Sequence, residues 1–425
     1  MTEEGRTETA LRLELDAEGT IPALRVRHPD LGDAEPAADQ VSVLIAGDVW
    51  CPADASLSAE PEAVPWAPFA SLVNNHDVSV VNLEAPISPA RAGDAKSGPS
   101  LRSHRDAAQA LRAGGFTAVS LANNHLRDAG DRGVLDTLDA CSAAGLTCVG
   151  AGADRRAALK PLLVDIGGFT VGILAVAEHE FSIAGPRRPG AAPLEPYSTP
   201  VRVRELSSQA DAVIVIVHGG NELYAFPSPR LRSLAHSLVA SGAGAVVFHH
   251  QHVYSGVEVF GGAAIAYGTG NFYFPPRFSR NPGWRKGYMV SLVVSTSGTK
   301  SFRLLPYRQS DPTPSVLPLT EREVAEVAED VLSLSRTIAE EDELQREWSR
   351  YCARQRTRYL SRILGLTRLE RAAFERGVWP FWRLRRDELP TLLNLLTCEA
   401  HRETMIDVLT SEMAGTRTDV PPEAP

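Results

Sequence analysis

Eight short apolar runs between residues 41 and 250, separated by stretches of helical pattern, constrain this chain more than any other feature. They read VSVLIAG, VSVVNLE, FTAVSLA, LTCVG, PLLVDI, TVGILAVA, AVIVIVH and AGAVVFHH. Runs of this length without polar alternation read as buried strands, and their alternation with helices predicts an α/β sandwich or a doubly wound fold. After His252 the strands shorten, and GVEVFGGAAIAYG places Gly261-Gly262 between two apolar runs at hairpin spacing.

A chain of 425 residues exceeds what one hydrophobic core usually fills, so an α/β domain with a smaller appendage is expected. Residues 1–40 are acidic, and LRLELDAEGTIPALRVR within them alternates around a Gly-containing turn, which allows a short hairpin. The α/β domain is read as 41–308 and the three-proline stretch at 309–319 as a linker. Residues 320–413 are helical by pattern and turn basic from Arg346 to Arg386, and 414–425 read as a flexible tail.

The net charge of −9 argues against a general nucleic-acid binder, which needs clustered Lys and Arg, and favours a small-molecule or polymer substrate. The acidic N-terminus does not read as a secretory signal, and no apolar stretch approaches the roughly 20 residues of a membrane span. Five scattered cysteines without a CxxC pair suit reduced thiols rather than a zinc ribbon, so a cytoplasmic protein is expected. The aromatic-rich segment VWPFWRLRRDELPTLLNLL makes the C-terminal helices a candidate surface for a protein partner.

The chemistry-bearing residues stand at strand ends, where open α/β sheets place their ligand crevices. Asp48 ends VSVLIAGD, Glu84 ends VSVVNLE, Asn124 and His125 follow AVSLAN, His218 ends AVIVIVH, and His250 and His252 end AVVFHHQH. Carboxylate, amide oxygen and imidazole donors together suit Mn, Fe or Zn. Two-metal hydrolysis needs a carboxylate that bridges two cations, and Glu84 is the candidate bridge. In an extended segment the H-x-H spacing puts His250 and His252 on one face and turns His249 away.

The segments IAGD, VVNLEAPI, SLANNHLRDAG, VIVIVHGGNELY, HHQHV and AIAYGTGNFYF resemble the CapA, or poly-γ-glutamate capsule synthesis, family within the calcineurin-like metallophosphoesterase superfamily. The resemblance spans roughly residues 41–275 and implies an αββα sandwich with a C-terminal helical appendage. It implies that Asp48, Glu84, Asn124, His218, His250 and His252 bind two divalent metal ions. His125 is then the general acid, with Asp128 orienting it. Glu222 and Tyr224, in HGGNELY, together with Asn271, Glu178 and His179, are candidates to contact substrate or to hold a ligating side chain.

The implied activity is hydrolysis of a phosphoester by metal-activated water. Hydrolysis or transfer at an amide bond of the γ-glutamyl type, and a non-catalytic accessory role in capsule polymer biosynthesis, are the alternatives. Two departures stand out: the first motif is Asp48-Val49-Trp50, without the D-x-H histidine of ordinary metallophosphoesterases, and Phe248 replaces a Gly, which is expected to reshape the pocket floor. The family's capsule factors commonly carry a membrane anchor, which this sequence is not expected to have.

Overall fold

Strand-forming runs and helical stretches resolve into two layered sheets in a computed structural model, which describes residues 11–16, 21–31, 40–55, 57–90, 93, 96–275, 281–310, 313–378, 380, 383 and 385–414. In chain order the strands are β1 (Arg12–Asp16), β2 (Ala23–Arg27), β3 (Gln40–Val49), β4 (Val78–Leu83), β5 (Ala118–Ser120), β6 (Thr147–Val149), β7 (Ala151–Gly152), β8 (Leu162–Ile166) and β9 (Phe169–Ala177). They continue with β10 (Gly190–Ala191), β11 (Ala212–His218), β12 (Ala245–His249), β13 (Val257–Phe260), β14 (Ala263–Ala266), β15 (Asn271–Tyr273), β16 (Lys286–Ser295), β17 (Gly298–Gln309) and β18 (Val316–Pro318). The helices are α1 (Ala70–Asn74), α2 (Ala107–Ala113), α3 (Gly130–Ala143), α4 (Arg155–Ala158), α5 (Ser198–Ser207), α6 (Pro229–Ala240), α7 (Glu321–Ala339), α8 (Glu341–Ile363), α9 (Arg368–Glu375), α10 (Leu389–Thr397) and α11 (Glu399–Ala414).

The first sheet has the order β1-β2-β17-β16-β3-β4-β5-β6, with β15 on β3 and β18 on β17. The second runs β13-β14-β12-β11-β9-β8. Within them β3 to β6 are mutually parallel, as are β9, β11, β12 and β14.

Residue parity explains the layering. In β11, Ile214 and Ile216 enter the core that also holds Val43, Ile45 and Val80 of the first sheet. Val213, Val215 and Val217 point the opposite way, into a second core with Val203 and Leu206 of α5 and Leu231, Ala235 and Leu238 of α6. On the far side of the first sheet, Leu111 of α2 and Val134 and Cys141 of α3 are buried. A strand apolar on both faces thus sits between a facing sheet and a helical layer, which makes the αββα sandwich.

One close approach near the sheet centre requires glycine. The β3–β4 register slips between Ala46 and Asp48, leaving Gly47 as the extra residue, and a Cβ at Gly47 would lie 2.0 Å from the Gly270 carbonyl oxygen. Such a bulge resets which side chain faces which layer, here immediately before Asp48. Gly47→Ala is expected to destabilise at or beyond the upper end of the roughly 1–3 kcal/mol of core overpacking, because the obstructing atom is backbone. Thermal unfolding measures it, and an unchanged Tm would contradict this packing.

The chain divides into two compact units, residues 1–346 and 347–425, with the division inside α8. This differs from the expected linker and appendage. Residues 309–319 end β17 and form β18, whose Val316–Pro318 pairs with Tyr307–Gln309. The prolines did not prevent pairing because Pro318 sits at the end of a strand on the sheet's margin. Helix α7 opens on a Thr320–Glu323 capping box and buries Val324, Val327, Val331 and Ile338 in the first unit. At the N-terminus, β1 pairs antiparallel with β2, and β2 with β17.

In the second unit, α9 has its own Thr367–Glu370 capping box, and Arg356 lies 4.5 Å over the Phe374 ring. Leu393, Leu396, Ile406 and Leu409 are exposed on α10 and α11. Trp379 and Trp382, and the tail beyond residue 414, lie outside the described residues. Among the described residues no helix is long and apolar enough to cross a membrane.

Candidate functional site

The C-terminal ends of parallel strands from both sheets converge on one buried cluster. Asp48 lies in β3, Glu84 directly follows β4, Asn124 follows β5, His218 ends β11, and His250 and His252 follow β12. All six are buried, Asp48 and Glu84 completely. Ligand-type atoms of Glu84, His218 and His250 lie within 4.8 Å of one another, as do those of Asp48, Glu84 and His252, so the two groups share Glu84.

Individual separations show how tightly the donors gather. His218 Nε2 is 3.1 Å from Asn124 Oδ1, 3.1 Å from His250 Nδ1 and 3.6 Å from Glu84 Oε1. His252 Nε2 is 3.7 Å from Glu84 Oε1, and His252 Nδ1 is 3.7 Å from Asp48 Oδ2. Donors held about 2.1 Å from a common ion stand roughly 3.0–3.5 Å apart, close to these values.

Electrostatics point the same way. Among the described residues neither carboxylate oxygen of Glu84 has a hydrogen-bond partner. Burial, then the charges of Asp48, Glu222, Glu180 and Asp128, push its carboxyl well above the ordinary carboxylate range. A dry carboxylate orphaned on both oxygens needs a cation to be ionised. Burial and then the His250, His249, His252 and His125 rings hold His218 well below the usual histidine range, so its imidazole is neutral and has a lone pair to offer. The residues present fit a divalent metal centre.

Neighbouring amides set the orientation of the donors. Asn271 spends its Nδ2 on the carbonyls of His252 and Trp284, so its Oδ1, 2.8 Å from His252 Nδ1, must accept. That places the His252 proton on Nδ1 and leaves the Nε2 lone pair toward Glu84. Asn124 likewise gives its Nδ2 to Glu180 Oε2 at 2.7 Å and turns its oxygen to His218. Asn82 donates to Asp48 Oδ1 at 2.7 Å, and Asn123 donates to Asn82 Oδ1 and the Leu83 carbonyl. Beside these, His125 Nδ1 is 2.6 Å from Asp128 Oδ2.

Several expectations need correction. The H-x-H segment is not extended: β12 stops at His249, and His250 and His252 have φ of +96° and +57°. Left-handed backbone at two non-glycine residues costs of order 1–3 kcal/mol each and turns both side chains into the cluster by a different route. His249 shares the inward face of β12 with Val247 and is buried. Among the described residues its ring nitrogens meet no hydrogen-bond partner of good geometry, and burial holds the imidazole below the usual histidine range against the opposing pull of the Asp48 charge and the Ala46 backbone.

His179 is half exposed and 3.4 Å from Glu195, outside the cluster. Glu178 accepts from Gly220 N at 2.7 Å and pairs with Arg230, so it organises the loop after β11. Glu222 is exposed and its charge bears on Glu84 and His252, while Tyr224 is buried against Phe226. Phe248 stacks on Tyr267 in the helix-covered core and does not floor the pocket. Trp50, in place of the D-x-H histidine, joins Phe274 and Trp284 in an apolar wall against which His252 packs.

Sequence reasoning passed over Asn82, Asn123 and Lys96. The first two carried a readable signal, since an asparagine in or directly after a buried apolar run must find partners. Lys96 carried none.

Residues 42–276 match the family described as bacterial capsule synthesis protein PGA_cap. The PGA biosynthesis protein CapA of Bacillus subtilis is 32% identical over 219 residues, which is 51% of this chain and 57% of that protein. The capsule biosynthesis protein CapA of Bacillus anthracis is 30% identical over 223 residues, 50% of this chain and 53% of that protein. A probable polyglutamine synthesis accessory protein of Mycobacterium tuberculosis is 30% identical over 222 residues, 49% of this chain and 58% of that protein. The chain therefore spans little more than half the length of these relatives. Among solved structures, a hypothetical protein of Thermus thermophilus aligns at 18% identity and TM-score 0.42, over 63% of this chain and 99% of that one. A 5'-nucleotidase precursor from the same organism aligns at 17% identity and TM-score 0.39, over 68% and 57%. Scores of this size carry no argument about chemistry.

Proposed function

The chain belongs to the bacterial capsule synthesis protein family PGA_cap, and from that premise we propose that it is a metal-dependent hydrolase of phosphoesters. The observation that carries the reading is Glu84, fully buried, unpartnered on both oxygens among the described residues and common to two groups of potential ligands. Asp48, Glu84 and His252 would hold one ion, and Glu84, His218, His250 and Asn124 the other. When bound, divalent Mn, Fe or Zn would supply Lewis acidity and lower the pKa of a water toward neutrality.

The chain's own residues do the rest. Asn271 keeps His252 in one tautomer, and Asn82 fixes the Asp48 carboxylate. His125 holds its Nδ1 proton on Asp128 Oδ2 and gives its Nε2 proton to the departing oxygen as the phosphorus–oxygen bond breaks. The ring that remains is a neutral imidazole on the same hydrogen bond.

A binding-only accessory role is the second reading, favoured by the accessory description of the mycobacterial relative. Metal content together with hydrolysis of a chromogenic phosphomonoester and phosphodiester separates the two. The expected result is close to two equivalents of metal with turnover, loss of both in His250→Ala, and metal retained in His125→Ala with a roughly 10²–10⁴-fold slower rate on an alkyl phosphoester, whose leaving oxygen needs a proton. Stoichiometric metal without turnover on either ester would favour the accessory reading. A protein that takes up no transition metal under any supplementation overturns the proposed metal centre.

A further inference from the structure

We propose that Lys96 is a positioning residue that locks Asp128 onto His125, so that His125 presents Nε2 to the leaving group; this rests on the hydrolase reading above. Lys96 enters from the segment between β4 and α2, and its side chain is 5% exposed. Its Nζ donates to Asp128 Oδ1, stands 3.0 Å from His125 Nδ1 and lies 5.8 Å over the Phe181 ring. Asp128, 1% exposed, accepts on its other oxygen from His125 Nδ1 and from the Leu101 backbone N–H, each at 2.6 Å.

The donor inventory decides what this arrangement does. A lysine ammonium only donates, so it cannot take a proton from His125 Nδ1. Were Nδ1 unprotonated, Lys96 could donate to it, but Asp128 Oδ2 would then face a lone pair at 2.6 Å, which is repulsive. The consistent assignment has Nδ1–H on Oδ2 and Lys96 on Oδ1, with Leu101 completing the carboxylate. Lys96 thereby occupies the one oxygen to which His125 could otherwise swap. With Oδ1 taken and Oδ2 shared with Leu101, the carboxylate cannot turn away without losing a donor, and a flip of the His125 ring would give up the Nδ1–Oδ2 bond.

A buried lysine is expensive unless paired, so its presence beside a histidine and an aspartate that already satisfy each other has a use beyond filling space. It touches none of the six candidate ligand residues by hydrogen bond or ion pair among the described residues. Its effect should therefore fall on proton delivery and spare metal binding.

The test compares wild type, Lys96→Met and Lys96→Arg in the full chain. Nitrogen-15 imidazole NMR, at a pH where the ring is neutral, is expected to show His125 as a single Nδ1–H tautomer in the wild type and a mixture in Lys96→Met. On metal-loaded protein, kcat for an alkyl phosphoester, whose leaving oxygen needs a proton, should fall roughly 10–100-fold in Lys96→Met with KM and metal content unchanged. The p-nitrophenyl ester, which leaves without a proton, should lose less than about threefold, and Lys96→Arg should recover much of the alkyl rate. An unchanged His125 tautomer, or equal losses on both esters, would overturn the proposal and leave Lys96 a structural residue. If Lys96→Met does not fold, Lys96→Gln, which keeps only a neutral donor, is read on the same two esters and the same NMR signal, with a smaller expected loss on the alkyl ester. Should wild type turn over neither ester, the hydrolase reading fails, and the NMR comparison alone judges Lys96.

Discussion

Glu84→Gln is expected to cost the protein its metal and its turnover, and at the same time to raise the melting temperature of the metal-free form. Both effects come from the same burial. Glu84 is inaccessible to water, and without a cation neither of its oxygens has a partner among the described residues. An orphaned buried acceptor costs about 1–3 kcal/mol, more if charged, and an uncharged isostere beside Asp48 removes the larger part.

The pH dependence follows from the raised carboxyl. Below the ordinary value of 4.5 both folded and unfolded chains hold the proton, and the contribution to stability is complete. As pH rises past that value the unfolded chain ionises first, so stability declines until pH passes the folded-state pKa. Metal-free wild type should therefore lose stability with rising pH across this window, and Glu84→Gln should lack that component. Saturating metal reverses the order at neutral pH, contributing about 2.7 kcal/mol at 100 times Kd in the wild type and little in the variant. Calorimetry with chelator and with Mn at two pH values measures all of this; a variant less stable than metal-free wild type would show that Glu84 is held by something other than a cation.

Ending the chain at residue 320 is expected to leave no soluble folded protein, whereas ending it after Arg346 should preserve fold and metal binding. Helix α7 buries Val324, Val327, Val331 and Ile338, and at roughly 1.5–3 kcal/mol per fully buried side chain the loss is about 6–12 kcal/mol. That rivals the whole stability of an ordinary domain, about 5–15 kcal/mol. The helix also ties polar groups down: Ser335 Oγ accepts from Val257 N at 2.8 Å, and the Ala339 carbonyl accepts from Arg232 at 3.1 Å. A cut after Arg346 keeps these contacts and the buried Leu344. Circular dichroism melting and metal content of both truncations give the answer. Unfolding of the longer one would mean that the first unit depends on residues beyond 346.

The longer fragment also separates two ideas that the basic helical pattern merges. If it keeps hydrolysis of a small chromogenic ester, then residues beyond 346 are not needed for chemistry. The exposed leucines of α10 and α11 would then be free for another role.

The sequence by itself determined the layers and the identity of the clustered donors, because both are local properties. A run such as AVIVIVH is a doubly buried strand whatever surrounds it, and a polar donor at its carboxyl end is delivered to the crevice beyond the sheet. Asp48, Glu84, Asn124, His218, His250 and His252 were legible on that ground, and the tertiary structure brings them together. What only the tertiary structure decided were relations between distant segments and departures from ideal backbone. No spacing rule predicts that Lys96 meets residues 29 and 32 positions away, because that encounter depends on how the segment after β4 folds back. The left-handed backbone of His250 and His252 is hidden for a related reason: even for histidine, which adopts it more readily than most residues, it is the minority conformation, and only the surrounding packing can hold such strain. Helix α7 looked like part of an appendage because amphipathic pattern says that a face will be buried, not which core buries it.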